Sequence, residues 1–411
     1  MSFRKVVFWI HLIAGVISGL VIGIMCFTGT ALAFEKQLVA WSERDARQIA
    51  SPVAGQTRLP IDVLTQRVRD ANPDARPASI VVSSNPTATV AFSLGRDQTV
   101  FVNPYTGEIL RPASTAMHDV MHVFVEWHRF LSLTDDQRPV GKVINGACNL
   151  AFFALAVSGL YLWIPRTWSR RGVRAIALFN WKLAGKARDF NWHNVIGLWS
   201  APILIILTLT AVPISFRWGN ALVYRLVGEE PPVQAGPGAA ATPAAELEKP
   251  PAGTAPLGRQ DQFAAIQKAF PKWEQITLRL AAPGRGGQAN QRTAAVAGGS
   301  GSTAPREERA TGPQPVTFVI KQPGTWPRTA TTTAVMNPYT GAIVRQENFA
   351  DQSTGRQIRS WTRFLHTGEA LGWIGQAIAG LACLGGCFLV YTGFALAWRR
   401  FFVKAPANSE S

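Results

Sequence analysis

The stretch Trp192–Phe216, WHNVIGLWSAPILIILTLTAVPISF, constrains this chain more than any other. From Val195 to Phe216 it carries no charged residue, and it is long enough to cross a bilayer. Backbone in hydrocarbon must satisfy its own hydrogen bonds, so a membrane-spanning helix is expected. One imidazole, His193, opens the stretch, and Gly197 follows one helical turn later. The first apolar stretch has the same frame: His11, Gly15 and a closing Phe34, with 23 positions from His11 to Phe34 and 23 from His193 to Phe216. A repeated His-x-x-x-Gly frame reads as a tandem duplication that keeps its histidine.

Spans are expected at about Val6–Phe34, Val143–Ile164, Val195–Phe216 and Leu371–Trp398. They account for a composition that is 47% hydrophobic and only 16% charged, low for a soluble chain of 411 residues. Arg4 and Lys5 precede the first span as they would a secretory leader, but the apolar run continues to Phe34 without a small-x-small cleavage pattern. A retained helix is therefore expected, with a signal anchor as the alternative. The connection from Arg166 to Asp189 holds Arg166, Arg170, Arg171, Arg174, Lys182, Lys186 and Arg188 against Asp189 alone, and the termini add Arg4, Lys5, Arg399, Arg400 and Lys404. The positive-inside rule puts these segments and both termini in the cytoplasm, and the two long connections outside. The net charge of +16 is thus largely topogenic, and no nucleic-acid partner is expected. Cys26, Cys148, Cys383 and Cys387 all fall within spans, so the outer regions have no disulfide framework. Cys383 and Cys387, one turn apart, read as small residues on a packed face rather than as a metal pair.

The first outer region begins with an amphipathic helix, Leu59–Asn72, and alternating runs at Ala78–Ser83, Thr87–Leu94 and Thr99–Val102. It then turns through Asn103-Pro104-Tyr105-Thr106-Gly107 into Glu108-Ile109-Leu110. The second region repeats the order, with a helix at Arg259–Phe270 and strands at Gln275–Leu280, Val316–Lys321 and Thr329–Met336. Its turn is the same string, Asn337-Pro338-Tyr339-Thr340-Gly341. Residues 229–258 have a linker composition, and 282–315 read as a disordered insertion. The glycines of that insertion do not follow a strand and open a helix, which argues against a dinucleotide site.

A helix followed by a short antiparallel sheet ending in an Asn-Pro-x-Thr-Gly turn resembles the PepSY domain. Two such units among four histidine-bearing spans resemble the PepSY-associated transmembrane family, which includes iron-regulated inner-membrane ferric-siderophore reductases. The resemblance covers nearly all of the chain apart from the linkers. It implies an α-helical membrane protein of the bacterial inner membrane, with four transmembrane helices in a tandem duplication and two small α+β PepSY-like periplasmic domains. In chain order these are a first span at 6–34, a first periplasmic domain at 35–113, a His-bearing interfacial segment at 114–139 and a second span at 140–165. A basic cytoplasmic loop at 166–190 leads to a third span at 191–217. The linker at 229–258, the second periplasmic domain at 259–347 with its insertion at 282–315, a His-bearing segment and fourth span at 360–398, and a cytoplasmic tail at 399–411 complete the chain.

An ionisable ring at membrane depth is costly and marks a functional site. Imidazole suits iron, and bundles build cofactor sites from side chains on facing helices. Two pairs are available, His11 with His193 on the inner side and His128 with His366 on the outer side, and each can grip one haem b. The resemblance supports the set: His11 matches a W-x-H opening, His193 a W-H-N-x-x-G opening, His128 an L-H-x-x-L element and His366 an L-H-T-G-E-A-L-G element. Trp127 replaces the family's Leu, and Asp135, Asp136 and Pro139 separate His128 from its span. His128 lies 30 positions before Ser158-Gly159, whereas His366 lies 26 before Thr392-Gly393. His118 or His122 therefore stands as an alternative outer ligand, against the plainer reading of both as the polar face of an interfacial helix. For any single ring the plain reading is snorkelling to the interface. Arg129, Arg359 and Arg363 are candidate contacts for haem propionates or an anionic iron chelate, with exposed interfacial arginine as the alternative. Trp9, Trp163, Trp192, Trp373 and Trp398 are expected as interface anchors.

The resemblance implies a di-haem b oxidoreductase that passes electrons from a separate cytoplasmic donor to a periplasmic ferric siderophore, reducing it and releasing Fe(II). Two rival readings are a membrane-anchored PepSY regulatory or binding protein, and an iron-chelate transporter component without redox activity. The transporter reading draws on Pro202 and Pro213, which can bend or break the third span.

Overall fold

The computed structural model describes residues 2–53, 55–74, 76–94, 98–112, 114–165, 168–232, 254–280 and 314–403. Most of the expected linker at 229–258 and of the expected insertion at 282–315 lies outside them, as do Arg166 and Lys404. The helices are α1 (Phe3–Leu32), α2 (Glu35–Ser42), α3 (Arg44–Arg47), α4 (Ile61–Ala71), α5 (Ala116–Phe130), α6 (Arg138–Trp163), α7 (Arg170–Ala177) and α8 (Gly185–Ser215). They continue with α9 (Arg217–Arg225), α10 (Arg259–Ala269), α11 (Thr354–His366) and α12 (Trp373–Phe401). Four of them, α1, α6, α8 and α12, are long and apolar enough to cross a membrane.

These four form a bundle in which α1 and α8 each lie against both α6 and α12, so α1 and α8 face one another across a diagonal. Ile22, Cys26, Phe152, Leu204, Leu207, Ala379 and Ala382 fill the centre. Ile10, Ile17, Leu20, Trp199 and Leu381 are exposed on the outside, where a bilayer would cover them. At one end Arg4 donates to the carbonyls of Leu162 and Ile164 at the close of α6, and Arg399 pairs with the buried Asp189 at 2.8 Å. Both described chain ends and the basic connection therefore gather at that end. The other rim is shaped by local backbone chemistry. Leu131, at φ 52, ends α5 in the left-handed region, and Pro139 sits in the first turn of α6, where a missing N–H costs nothing. The stretch that separates His128 from its span in the sequence is a tight corner between two helices. Despite Pro202 and Pro213, α8 is one unbroken helix.

The outer regions supply β1 (Ser79–Ser83), β2 (Val90–Ser93), β3 (Thr99–Val102), β4 (Ile109–Leu110), β5 (Gln275–Arg279), β6 (Val316–Lys321), β7 (Thr332–Met336) and β8 (Ile343–Glu347). Two separate strand sets are expected from the sequence, but they form one antiparallel sheet in the order β4-β3-β2-β1-β5-β6-β7-β8. The seam is β1 against β5, paired from Ser79–Arg279 to Ser83–Gln275. A single core runs beneath it, with Leu64, Ile80, Phe92, Phe263, Ile276 and Phe318 fully buried. Each such side chain contributes about 1.5–3 kcal/mol of burial energy. The helices over this face cap each other: Asp62 accepts from the N–H groups of Arg259 and Gln260 at 3.0 and 2.9 Å, while Gln260 Oε1 accepts from the N–H of Ile61 at 3.0 Å.

The two Asn-Pro-Tyr-Thr-Gly strings build the same turn. Gly107 N–H donates to Asn103 O and Gly341 N–H to Asn337 O, both at 2.9 Å, and the glycines sit at φ +75 and +69, where only glycine is unstrained. Each turn also holds a helix lead-in, through Leu59 N–H to Pro104 O and Leu257 N–H to Pro338 O.

The helix that ends in His366 is anchored from outside the bundle. Glu229 accepts from the Ser353 hydroxyl at 2.6 Å and from Gly355 N–H at 3.1 Å, capping the start of α11. The Ser353 hydrogen bond, then that of Gly355, holds the Glu229 carboxyl below the usual range. A depressed carboxylate stabilises the fold above its unfolded pKa, and that stabilisation is lost as pH falls through the lower folded value. Glu229→Gln is thus expected to lower the melting temperature at pH 7, and the gap from the parent should close as the pH is taken below about 4. Thermal unfolding in detergent across that range checks it.

Candidate functional site

Four imidazoles sit between helices, and each has its Nδ1 engaged by a different helix. His11 on α1 meets Ser158 Oγ on α6, His193 on α8 meets Thr392 Oγ1 on α12, and His128 on α5 meets Thr28 Oγ1 on α1, each at 2.9 Å. His366 on α11 meets the carbonyl of Leu207 on α8 at 2.9 Å. These partners decide the tautomer. Thr392 gives its hydroxyl proton to Phe388 O at 2.7 Å, Thr28 to Ile24 O at 2.7 Å, and Ser158 to Leu155 O at 3.3 Å. A hydroxyl has one proton to donate, so the two threonine oxygens, whose own bonds are short, accept from the ring. The Leu207 carbonyl can only accept. His128, His193 and His366 therefore carry their proton on Nδ1 and keep a lone pair on Nε2, the arrangement of a metal-ligating histidine with its outer hydrogen bond in place.

Two of the rings face one another. His128 and His366 have ring centres 6.4 Å apart and planes inclined by 52°. Imidazole–metal bonds are about 2 Å long, so two rings gripping one ion from opposite sides have centres roughly 6 Å apart. His11 and His193 project from the diagonal helices α1 and α8. Glycine lets the backbones come close: a Cβ on Gly159 would stand 3.4 Å from His11 Cε1, one on Gly29 3.4 Å from His128 Cε1, and one on Gly393 3.7 Å from His193 Cε1. Three rings thus rest on a Ser/Thr-Gly step, Ser158-Gly159, Thr28-Gly29 or Thr392-Gly393, whose hydroxyl meets the ring while its glycine gives the room. Among the described residues no group of three or more His, Cys, Asp or Glu is placed to hold a metal ion. A haem brings ring nitrogens of its own and would ask the protein only for imidazoles such as these. The residues present fit that group.

His118 and His122 do not join either pair. His122 is exposed, and His118 faces Asp119 at 3.8 Å. On α5 they share a face that His128 does not, so the ring opposite His366 is His128. Asn145 Nδ2 donates to the carbonyl of His128 at 2.9 Å and ties it to α6. Arg129 is exposed and stacks on Phe130, and Arg363 is exposed. Arg359 turns toward α9, where its Nε donates to Asn220 at 2.8 Å, and burial is the main cause that lowers its pKa. In the sequence Ser158 and Thr392 are only register marks, and Thr28 carries no signal beyond a hydroxyl inside an apolar span.

A family model for the PepSY-associated TM region matches residues 8–400. The chain belongs to that family. Comparison with curated proteins gives no match. In this PepSY-associated membrane protein the family region takes in all four long helices, nearly in full, together with the sheet. Thr392→Val removes the hydroxyl that meets His193 Nδ1 at 2.9 Å, which is expected to cost about 1–3 kcal/mol, while Thr392→Ser keeps the bond. Melting temperatures of the two variants in detergent check this, and equal losses would contradict it.

Proposed function

We propose that this chain is a di-haem b electron-transfer protein of the bacterial inner membrane that draws on a cytoplasmic donor and reduces a ferric siderophore in the periplasm. The observation that carries the reading is four imidazoles whose Nδ1 is engaged by a neighbouring helix, with His128 and His366 facing one another at 6.4 Å between ring centres. Haem b bound in these pairs supplies a one-electron centre toward each face of a hydrocarbon layer about 30 Å thick. His11 and His193 hold the inner group, and His128 and His366 the outer one. Ser158, Thr28, Thr392 and the Leu207 carbonyl fix the rings, and the apolar faces of the spans exclude water.

Recurrence supports the tandem arrangement. His11 on Ser158-Gly159 is matched by His193 on Thr392-Gly393, and the Asn-Pro-Tyr-Thr-Gly turn is built twice. Arg170, Arg171, Arg174, Lys182, Lys186 and Arg188 favour the cytoplasm for their end of the bundle, which leaves the sheet for the periplasm. The siderophore comes from the family resemblance: one electron converts Fe(III) to Fe(II), and the softer ion is held less firmly by hard oxygen donors. The unbroken α8 favours electron transfer over a permeation path, which would call for a broken helix.

Protein purified from haem-replete cells is expected to give a reduced b-type absorption spectrum with two haems per chain. His193→Ala and His366→Ala should each remove one of them. Absence of haem, or variants that keep both, would overturn the reading in favour of an anchored binding module.

A further inference from the structure

The short helix α7, between the second and third long helices, lies against α8, and its final carbonyls are taken by side chains of the bundle. Asn191 Nδ2 donates to Ala175 O at 2.7 Å and to Leu178 O at 3.2 Å, Trp163 Nε1 to Ile176 O at 3.2 Å, and Trp199 Nε1 to Ala177 O at 3.0 Å. Asn180 N–H donates back to Asn191 Oδ1 at 2.9 Å. Water satisfies the carbonyls at the end of a solvated helix, whereas a helix end removed from water needs donors from the protein. Trp199 sets the depth. Its ring is 68% exposed on the outside of the bundle, four residues into the charge-free stretch that opens at Val195 and so about 6 Å along the helix axis. An indole there faces lipid, and its N–H reaches Ala177, so the end of α7 lies at the depth of an interfacial helix, about 5–10 Å into the boundary between headgroups and acyl chains. Trp168, Leu178, Phe179 and Trp181 are exposed on either side of α7, as apolar and aromatic residues at that boundary are.

The charges of α7 fit the same place. Val173, Ile176 and Ala177 are half-buried, while Arg170, Arg171 and Arg174 are exposed, and the first turn holds no acid. No ion pair engages these three guanidinium groups among the described residues. Asp189, the one acid of the connection, is taken by Arg188 and Arg399. Arg170 and Arg171 moreover stand at the positive end of the helix dipole, where a cation is unfavourable unless an anion comes with it. We propose that α7 is an interfacial helix that binds anionic phospholipid, with Arg170, Arg171 and Arg174 on the phosphate groups and its apolar side and flanking indoles among the upper acyl chains. An acidic soluble protein would answer the charge but leave Trp168, Leu178 and Trp181 in water and the end of α7 at a depth that no soluble surface reaches. None of these residues is a candidate haem ligand, so the proposal does not rest on the electron-transfer reading and is tested without any redox step.

Native mass spectrometry of the full chain, released from neutral-detergent micelles that hold equal amounts of phosphatidylglycerol and phosphatidylcholine, reads which lipid stays bound. The parent is expected to retain phosphatidylglycerol at least about tenfold more tightly, since each arginine near an anionic leaflet adds about fivefold in affinity. Arg174→Gln should lower that preference about fivefold, and Arg170→Gln, Arg171→Gln and Arg174→Gln together should bring it to parity. The three arginines replaced together by lysine keep the charge and should keep the preference. Glycerol phosphate, which carries the phosphate without acyl chains, should not displace the lipid at equal concentration. Circular dichroism and melting confirm that the multiple variants are folded. The proposal is overturned if the parent retains both lipids equally, if the preference survives the triple glutamine variant or is lost in the lysine one, or if glycerol phosphate displaces the lipid.

Discussion

An imidazole N–H enclosed between apolar helices must be given an acceptor, and the way this chain provides one organises the bundle. A serine or threonine in a helix can turn its hydroxyl back to its own carbonyl ladder. Its oxygen is then left facing outward as an acceptor. Ser158, Thr28 and Thr392 do this, and a ring from a neighbouring helix docks on each. The bond fixes three things together: the approach of two helices, the rotation of the ring and the position of its proton. Glycine beside the hydroxyl keeps that approach close. The fourth ring, His366, uses a carbonyl that also accepts from Thr210 at 3.0 Å, so the same logic is met with backbone in place of a hydroxyl.

Because the histidines sit on four different helices, the pairs are only as well placed as the helix ends that carry them. The inner pair is set by long helices whose ends are tied by Arg4 and by the Arg188–Asp189–Arg399 cluster. The outer pair sits on shorter helices and needs more support. Asn145 holds the backbone of His128, and Glu229 caps the helix of His366. Gly368, at φ +71, then turns the chain from His366 into the last span, with Gly375 packed against it. His128 and His366 are thus coupled mechanically to segments that lead into the sheet.

Much of this was legible in the residues. Repeated His-x-x-x-Gly frames, apolar runs of spanning length and the duplicated Asn-Pro-Tyr-Thr-Gly turn are local patterns, and local patterns survive as helices, strands and turns. Thr99–Val102 and Val316–Lys321 match their expected bounds. What was not legible depends on contacts between distant parts of the chain. The β1–β5 seam joins strands almost two hundred residues apart with no nearby turn to announce it. The mutual capping of α4 and α10 is equally remote in sequence. Thr28 inside an apolar run looks like any back-bonded hydroxyl until a ring is placed opposite it. The choice among His118, His122 and His128 depended on which face of α5 meets α11, and on the corner made by Leu131 and Pro139.

The most direct measurement is pulsed electron paramagnetic resonance of the oxidised protein carrying ¹⁵N-labelled histidine, read for the nitrogens bound to iron. Two imidazole nitrogens at each of two low-spin centres, with one centre lost in His11→Ala and the other in His128→Ala, is the predicted result. A centre with one imidazole or none, or a signal indifferent to both substitutions, would contradict the pairing of rings on which the account rests.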